Sequence, residues 1–239
     1  MTEPFSIPPG VRAVFFDVVG TLLHPAPPVA VAYAAAGQRF GSRLDAATIA
    51  GRFRAAFGRQ EERDQAAGLR TDEAREVARW QAIVAEVLRD VTDPAACFQY
   101  LYAYFARPEA WACDPAAGPV LRALAGRGYR LGIASNFDER LRGLVAALPD
   151  LRPVQDVVIS SAVGWRKPAP AFFAQMCRQT GLDPGQILLV GDDRVNDYEG
   201  ARAAGMHAVL LDPRRQEPVP EEARIGRLDD LLPQPAPGR

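Results

Sequence analysis

The sequence carries almost no net charge and contains no long apolar run. Its 28 basic and 29 acidic residues are spread over 239 positions, so it lacks the basic surface of a nucleic-acid-binding protein. No apolar stretch approaches the length that crosses a bilayer, and the N-terminal MTEPFSIPPG lacks the regions of a signal peptide. We therefore expect neither nucleic acid nor a membrane as a partner.

Cysteine is also scarce. The three cysteines, Cys97, Cys113 and Cys177, are odd in number, and no pair has the spacing of a metal or redox motif. We interpret them as packing residues and expect a reducing, cytoplasmic location.

Lysine and asparagine are nearly absent. The chain holds 27 arginines but one lysine, Lys167, and only two asparagines, Asn136 and Asn196. A chain that avoids these residue types keeps them by chance or because chemistry requires them. Their positions are therefore informative.

Five short apolar runs have the pattern of buried parallel strands, since each is bounded by polar or turn residues. They occupy residues 13–16, 130–135, 155–160, 186–192 and 207–212. Helical patterns lie between them, including one that ends near Gly181 and one that begins on Asn196 as its cap and ends at Gly205. This alternation predicts an α/β fold with a doubly wound, Rossmann-like parallel sheet, which binds ligands at the carboxyl ends of its strands.

Residues 26–110 show helical spacing throughout, with Asp45, Asp72 and Asp93 at expected N-cap positions. We predict an inserted all-helical domain over 26–110, so that 1–25 and 111–239 form the core. Its aromatic side chains are interpreted as its hydrophobic core rather than as a ligand site. These aromatic residues are Trp80, Phe98, Tyr102 and Phe105.

Two further stretches are interpreted as surface features. Arg54, Arg59 and Arg63 lie on one helical spacing and are typical of a solvated helix face. The Pro-rich, charged tail after residue 213 is expected to wrap the surface, with LDDLL as a short docking turn and a frayed end.

Four polar features follow the predicted strands. Asp17 ends the first strand, and Ser135 with Asn136 ends the second. Lys167 follows the third, and the acidic GDDRVND ends the fourth. Because parallel strands end at one edge of a sheet, we expect all four features to meet there.

In this order the four features resemble the haloacid dehalogenase superfamily, in the branch with a helical (C1-type) cap inserted after the first strand. The resemblance implies that Asp17 is a nucleophile that forms an aspartyl-phosphate. It implies that a small phosphorylated substrate is held by a set of polar groups and that Mg²⁺ is the cofactor. The implied substrate-binding residues are Gly20, Thr21, Ser135, Asn136 and Lys167, with Ser135 and Lys167 also catalytic. The implied metal ligands are Asp17, the Val19 backbone carbonyl and Asp192, with Asp193 and Asp197 behind them.

Elementary chemistry agrees with these implied roles. Mg²⁺ takes hard oxygen ligands, and several carboxylates around one point repel each other without a cation. A compact ammonium suits a crowded anionic site better than a planar guanidinium does. This would explain why the chain has a lysine at 167 and arginine at every other basic position.

The sequence departs from the family pattern at Val19. The resemblance implies an Asp two residues after the nucleophile, which protonates the leaving oxygen and later activates water. Val19 can do neither, and general acid–base help is worth about 10²- to 10⁴-fold in rate. Neither His24, interpreted as a loop residue, nor Asp138, interpreted as a helix cap, is an evident replacement. A second departure, Ala169 in KPAP, is expected to affect helix capping.

Three functions remain open. The first is a Mg²⁺-dependent phosphatase with impaired general acid–base catalysis, acting best on acyl or aryl phosphates. The second is a weakened relative that binds a phosphate compound or a protein. The third is a 2-haloacid dehalogenase, which the acidic GDDRVND disfavours because that reaction needs no metal. A phosphonate-cleaving enzyme of this family would need a cap lysine, and the only lysine is Lys167. The sequence specifies neither the substrate nor the oligomeric state.

Overall fold

The computed structural model describes residues 5–233. Its main sheet has six strands in the order β5-β4-β1-β6-β7-β8, and every neighbouring pair is parallel. The strands are β1 (Ala13–Phe16), β4 (Arg130–Ser135), β5 (Asp156–Ile159), β6 (Ile187–Gly191), β7 (His207–Leu211) and β8 (Arg224–Ile225). The prediction of a doubly wound parallel sheet is confirmed, and five of the six strands match the predicted runs within a residue or two.

The central strand is buried on both faces because helices cover the sheet from two sides. Val14 and Phe16 point to one hydrophobic cluster, while Ala13 and Phe15 point to the other. The core helices are α5 (Ala117–Gly126), α6 (Arg140–Ala147), α7 (Ser160–Val163), α8 (Pro170–Thr180) and α9 (Gly200–Ala203). Helices α5 and α6 contribute to the first cluster, and α8 and α9 to the second. Alternating side chains on a doubly covered strand explain why β1 is an uninterrupted apolar run.

Four helices lie between β1 and the remainder of the sheet, and we call them the helical insert. They are α1 (Val29–Arg39), α2 (Ala46–Ala66), α3 (Glu73–Val87) and α4 (Pro94–Tyr104). The side chains of Asp45, Asp72 and Asp93 accept from the backbone amides of Thr48, Arg75 and Ala96, as their predicted N-cap roles require. The assignment of 26–110 as a separate domain stays a prediction.

The helical insert joins the sheet through two short strands that the sequence pattern does not predict. Strand β2 (Leu23–Pro25) pairs antiparallel with β3 (Trp111–Cys113). The Ala26 amide also donates to the Ala110 carbonyl at 2.9 Å. The chain therefore enters and leaves the insert at one place.

Two of the surface predictions agree with the structure within the described residues, and a third concerns residues outside them. Arg54, Arg59 and Arg63 are exposed, as expected. LDDLL forms a 3₁₀ turn, Leu228–Leu231, whose two leucines are buried. The predicted frayed end and the N-terminal MTEP lie outside the described residues. Between residues 5 and 233 no helix is both long and apolar enough to cross a membrane.

Candidate active site

The carboxyl ends of β1, β4 and β6 bring the predicted residues together around one ammonium group. Lys167 Nζ donates to Asp17 Oδ1 at 2.7 Å and to Asp197 Oδ1 at 2.5 Å. It also donates to the carbonyl oxygen of Ala134 at 2.7 Å. The lysine is buried, which by itself lowers its pKa, but the charges of Asp17 and Asp197 outweigh burial and raise it. Lys167 is therefore charged at neutral pH.

Asn136 fixes the backbone that carries this lysine. Its side-chain Oδ1 accepts from the Lys167 amide at 2.7 Å, and its Nδ2 donates to the Lys167 carbonyl at 3.0 Å. From the sequence, Asn136 was expected to bind substrate. The structure shows both polar atoms of its amide engaged with Lys167, so it positions that residue.

Three carboxylates lie beside the lysine. Oxygen atoms of Asp17, Asp192 and Asp197 lie within 4.8 Å of one another. Asp192 is exposed to the cavity on one side and packed against protein on the other. Partial desolvation of its carboxylate, together with the charge of Asp17, raises the pKa of Asp192 to about 6. Burial raises the pKa of Asp197, although Lys167 opposes the shift. Such mutual repulsion is the setting in which carboxylates hold a cation.

A glycine makes this close approach possible. Gly20 has φ +98°, and a Cβ at this position would lie 2.3 Å from Asp192 Oδ2. The adjacent Thr21 is fully buried and donates its hydroxyl to Asp192 Oδ1 at 3.0 Å. Both residues were expected to bind substrate. In the structure they shape and orient the carboxylate of Asp192.

The two acids expected behind the metal ligands have different surroundings. Asp197 lies within the acidic cluster itself and contacts Lys167. Asp193 is the N-cap of the helical segment that follows, and its Oδ1 accepts from the amides of Val195 and Asn196. The prediction that Asn196 caps this helix is therefore wrong; Asn196 lies inside a π-helical turn, Arg194–Glu199, and donates to Asp193 Oδ2. Asp193 is the cap because it directly precedes the turn, where its carboxylate can accept from the first free amides.

Two groups at the site have no partner within the described residues. The Ser135 hydroxyl, at the end of β4, accepts and donates no hydrogen bond between residues 5 and 233, and it lines the cavity described next. The Val19 carbonyl likewise makes no backbone hydrogen bond in that part of the chain, since Leu23 pairs instead with Val18 and Gly20. Both oxygens are available to an incoming group.

A cavity of about 400 Å³ opens above the acidic cluster and lies between the sheet and the helical insert. Its upper wall is aromatic. The lining rings are Tyr33, Phe53, Phe57, Trp80, Phe98, Tyr102, Phe105, Trp111 and Phe137. The four insert aromatics predicted from the sequence as core residues all line this cavity, while three of them also pack at the edge of the insert's core. Helical spacing predicts that these aromatic residues share a face of their helices, but it does not show whether that face packs in a core or lines a cavity.

Charged side chains on the cavity wall are paired with one another. Arg79 and Arg166 are both buried and share Glu61, while Arg166 also donates to Glu76 at 2.5 Å. Arg140 makes a two-point contact with Asp138, at 2.8 and 2.6 Å. This explains why Asp138 is buried. Asp138 Oδ1 also accepts from the Arg140 amide. The N-cap of α6 is Glu139, which makes no side-chain cap hydrogen bond, so the prediction that Asp138 caps this helix is wrong.

No replacement for the missing acid at Val19 is present among the described residues of the cavity. Asp193 and Glu61 are the carboxylates outside the acidic cluster, and both are engaged as described above. Burial raises the pKa of Tyr33, so its phenol is a poor proton donor. His24 lies in β2 near Asp114 and does not line the cavity. Ala169 precedes α8 without any side-chain cap, as expected from its replacement of Asp.

Comparison with known proteins agrees with this architecture. The chain is 32% identical to the human haloacid dehalogenase-like hydrolase domain-containing protein 3 over 234 residues, 93% of each chain. It is also 32% identical to phosphoglycolate phosphatase from Rhodospirillum rubrum over 223 residues, 92% of this chain and 88% of that one. The structure of L-2-haloacid dehalogenase from Xanthobacter autotrophicus has a TM-score of 0.71 at 20% identity, covering 92% of this chain and 96% of that chain, which shows a shared fold. Residues 11–205 match the haloacid dehalogenase-like hydrolase family, and the chain belongs to that family.

Proposed function

We propose that this protein is a Mg²⁺-dependent phosphatase that acts on a small phosphorylated compound through an aspartyl-phosphate at Asp17. The observation that carries the proposal is the ammonium of Lys167, held 2.7 Å from Asp17 at the rim of an acidic cluster. The similarity to a phosphoglycolate phosphatase supports phosphoryl chemistry. A phosphorylated carboxylic acid of that kind is one substrate class to test.

The donor set fits Mg²⁺. Three carboxylates face one ammonium, which leaves an excess of negative charge, and all candidate ligands are oxygen atoms. Asp17, the Val19 carbonyl and Asp192 would hold the ion, which would supply positive charge for the phosphoryl oxygens. Asp197 stays bound to Lys167 and would fix the ammonium beside the ion.

Asp17 is prepared for attack on phosphorus. Its Oδ1 accepts from Lys167, while Oδ2 has no hydrogen-bond donor within residues 5–233. A carboxylate oxygen of Asp17 forms the bond to phosphorus, and the bond from phosphorus to the leaving oxygen breaks. The Ser135 hydroxyl would hold a phosphoryl oxygen during this exchange. Water then attacks phosphorus, which releases phosphate and restores the Asp17 carboxylate.

Val19 sets the limit on this chemistry. With no acid at this position, an alkoxide leaving group departs without a proton, and hydrolysis of alkyl phosphates is expected to be slow. Acyl and aryl phosphates leave as stabilised anions and depend less on a proton donor.

Val19 also favours a second candidate, a relative that binds a phosphate compound or a protein without turnover. A 2-haloacid dehalogenase is a third candidate, which the acidic cluster disfavours. One set of assays separates the three.

The test measures phosphate release from p-nitrophenyl phosphate and acetyl phosphate with and without Mg²⁺. We expect Mg²⁺-dependent turnover in the wild type, its loss in Asp17→Asn, and its retention in Asp229→Asn, which changes an exposed carboxylate paired with Arg227. Activity that survives Asp17→Asn or ignores Mg²⁺ contradicts the proposal. Activity found only in Val19→Asp supports the binding protein, and metal-free halide release from a 2-haloacid supports the dehalogenase.

A further inference from the structure

The cavity above Asp17 is lined by aromatic rings and by charged side chains that are paired with one another. We propose that the substrate is an aryl phosphate whose leaving group is an uncharged aromatic ring held by the helical insert. This inference rests on the proposed phosphatase function and names its substrate class.

An unbroken series of aromatic contacts runs along the cavity wall. It begins at Trp80 and Phe57 in the insert, with ring centroids 6.3 Å apart, and continues to Phe53 at 5.9 Å. Tyr33 and Phe105 follow, at 5.3 and 6.2 Å.

The series then reaches the sheet. Trp111 of β3 lies 5.9 Å from Phe105 and 6.0 Å from Phe137, measured between ring centroids. Phe137 lies two residues after Ser135, so the aromatic wall ends close in sequence to the hydroxyl proposed to hold a phosphoryl oxygen. All these separations lie in the range of favourable ring contacts, about 4.5–7 Å. A ring attached to a phosphate at Asp17 would therefore contact the aromatic wall directly.

Among residues 5–233, every cationic side chain that lines the cavity is paired with a carboxylate, so the wall offers no free cation to a substrate carboxylate. Four guanidinium groups meet four carboxylates at the junction of the insert and the sheet. These are Arg75, Arg79, Arg140 and Arg166 with Glu61, Asp64, Glu76 and Asp138. Freeing Arg140 or Arg166 would leave the buried carboxylate of Asp138 or Glu76 without its guanidinium partner, which is strongly unfavourable. The wall therefore favours an uncharged leaving group over an anionic one.

The absence of a proton donor at Val19 also favours an aryl phosphate as the substrate. The residue is 38% exposed and lines the same cavity as Asp17. A phenol, like the tyrosine side chain, has a pKa of about 10 and leaves as a phenolate without prior protonation. The Asp17 oxygen bonds to phosphorus, the phosphorus–aryl oxygen bond breaks, its electron pair stays on the phenolate, and solvent supplies the proton afterwards.

The volume also suits such a group. A cavity of about 400 Å³ lies within the range of small-molecule sites and accommodates one or two fused rings.

The experiment compares three phosphates: α-naphthyl phosphate, acetyl phosphate and a phosphorylated carboxylic acid of two carbons. We expect α-naphthyl phosphate to have a KM at least about 10-fold below that of the other two, since ring contacts add to apolar burial. Trp80→Leu should raise this KM about 10-fold relative to the KM for acetyl phosphate. Tyr100→Leu is the matched control, because Tyr100 is an insert aromatic that does not line the cavity. If Trp80→Leu does not fold, Phe53→Leu carries the same test.

Binding of α-naphthyl phosphate to Asp17→Asn, measured by calorimetry, keeps the two proposals apart. If acetyl phosphate is hydrolysed through Asp17 but α-naphthyl phosphate has no KM advantage, the ring site is overturned and the phosphatase stands. A two-carbon phosphorylated acid with the lowest KM also overturns it. If no phosphate is hydrolysed but α-naphthyl phosphate binds and Trp80→Leu weakens its binding, the phosphatase fails while the ring site stands.

Discussion

Val19→Asp is the substitution that tests the chemistry most directly. Val19 lies two residues after Asp17, is 38% exposed as a residue, and lines the cavity. An Asp at this position needs no repacking of the core, so we expect the free energy of unfolding with Mg²⁺ present to change by less than about 1 kcal/mol. The new carboxyl group can protonate a leaving oxygen in the cavity.

The expected gain depends on the leaving group. General acid help is worth about 10²- to 10⁴-fold, or about 3–5 kcal/mol of activation free energy. Benzyl phosphate and phenyl phosphate carry similar rings, but benzyl alcohol is a much weaker acid than phenol. Val19→Asp should therefore raise kcat/KM for benzyl phosphate by about 10²-fold or more, with a clearly smaller gain for phenyl phosphate.

Val19→Asn is the control, since it has the shape of Asp without its proton. Both esters are assayed by phosphate release with wild type, Val19→Asp and Val19→Asn. Equal gains for the two esters, or the same gain in Val19→Asn, would refute the account of Val19 as a missing proton donor.

Three further predictions concern the charged groups. Lys167→Arg should lower kcat roughly 10²-fold or more, because a planar guanidinium does not fit between Asp17 and Asp197; a kcat near that of the wild type would contradict this. The pKa of Asp192 is about 6 in the folded protein, above its value in the unfolded chain of about 4. Between these two values the folded, metal-free protein binds more protons than the unfolded chain, so its free energy of unfolding falls as pH rises from about 4 to about 6. Mg²⁺ should therefore raise Tm more at pH 7.5 than at pH 5, and equal shifts would contradict the role of Asp192. Glu76→Gln, which leaves Arg166 short of a buried partner, should lower the free energy of unfolding in urea by about 3 kcal/mol. Glu86→Gln, in a more exposed pair with Arg59, should lower it by less than about 1 kcal/mol.

Residues at strand ends were predictable because a parallel sheet converts sequence order into spatial proximity. Asp17, Ser135 and Lys167 each follow a recognisable apolar run, and the sheet brings them to one edge. The rarity of lysine in this chain added weight to Lys167, and its three hydrogen bonds fit that emphasis.

Features that depend on contacts distant in sequence were missed. Strands β2 and β3 are three residues each and exist because they pair across the helical insert, so neither has a pattern of its own. The engagement of Asn136 with Lys167 joins residues 31 positions apart. Aromatic residues such as Phe53 and Trp80 look alike on a helix whether they face a core or a cavity, and only the packing of α1–α4 on the sheet decides between the two.

The β2–β3 pairing has a consequence for how this protein can be changed. Since the chain leaves and rejoins the core through adjacent, hydrogen-bonded strands, we expect that the insert can be exchanged by splicing at 25 and 111 if the graft supplies carboxylates for Arg166. The acidic cluster and Lys167 belong to the part that remains, while most of the aromatic rings that line the cavity belong to the part that is exchanged. We therefore expect that grafting another insert would change selectivity without rebuilding the acidic cluster around Lys167.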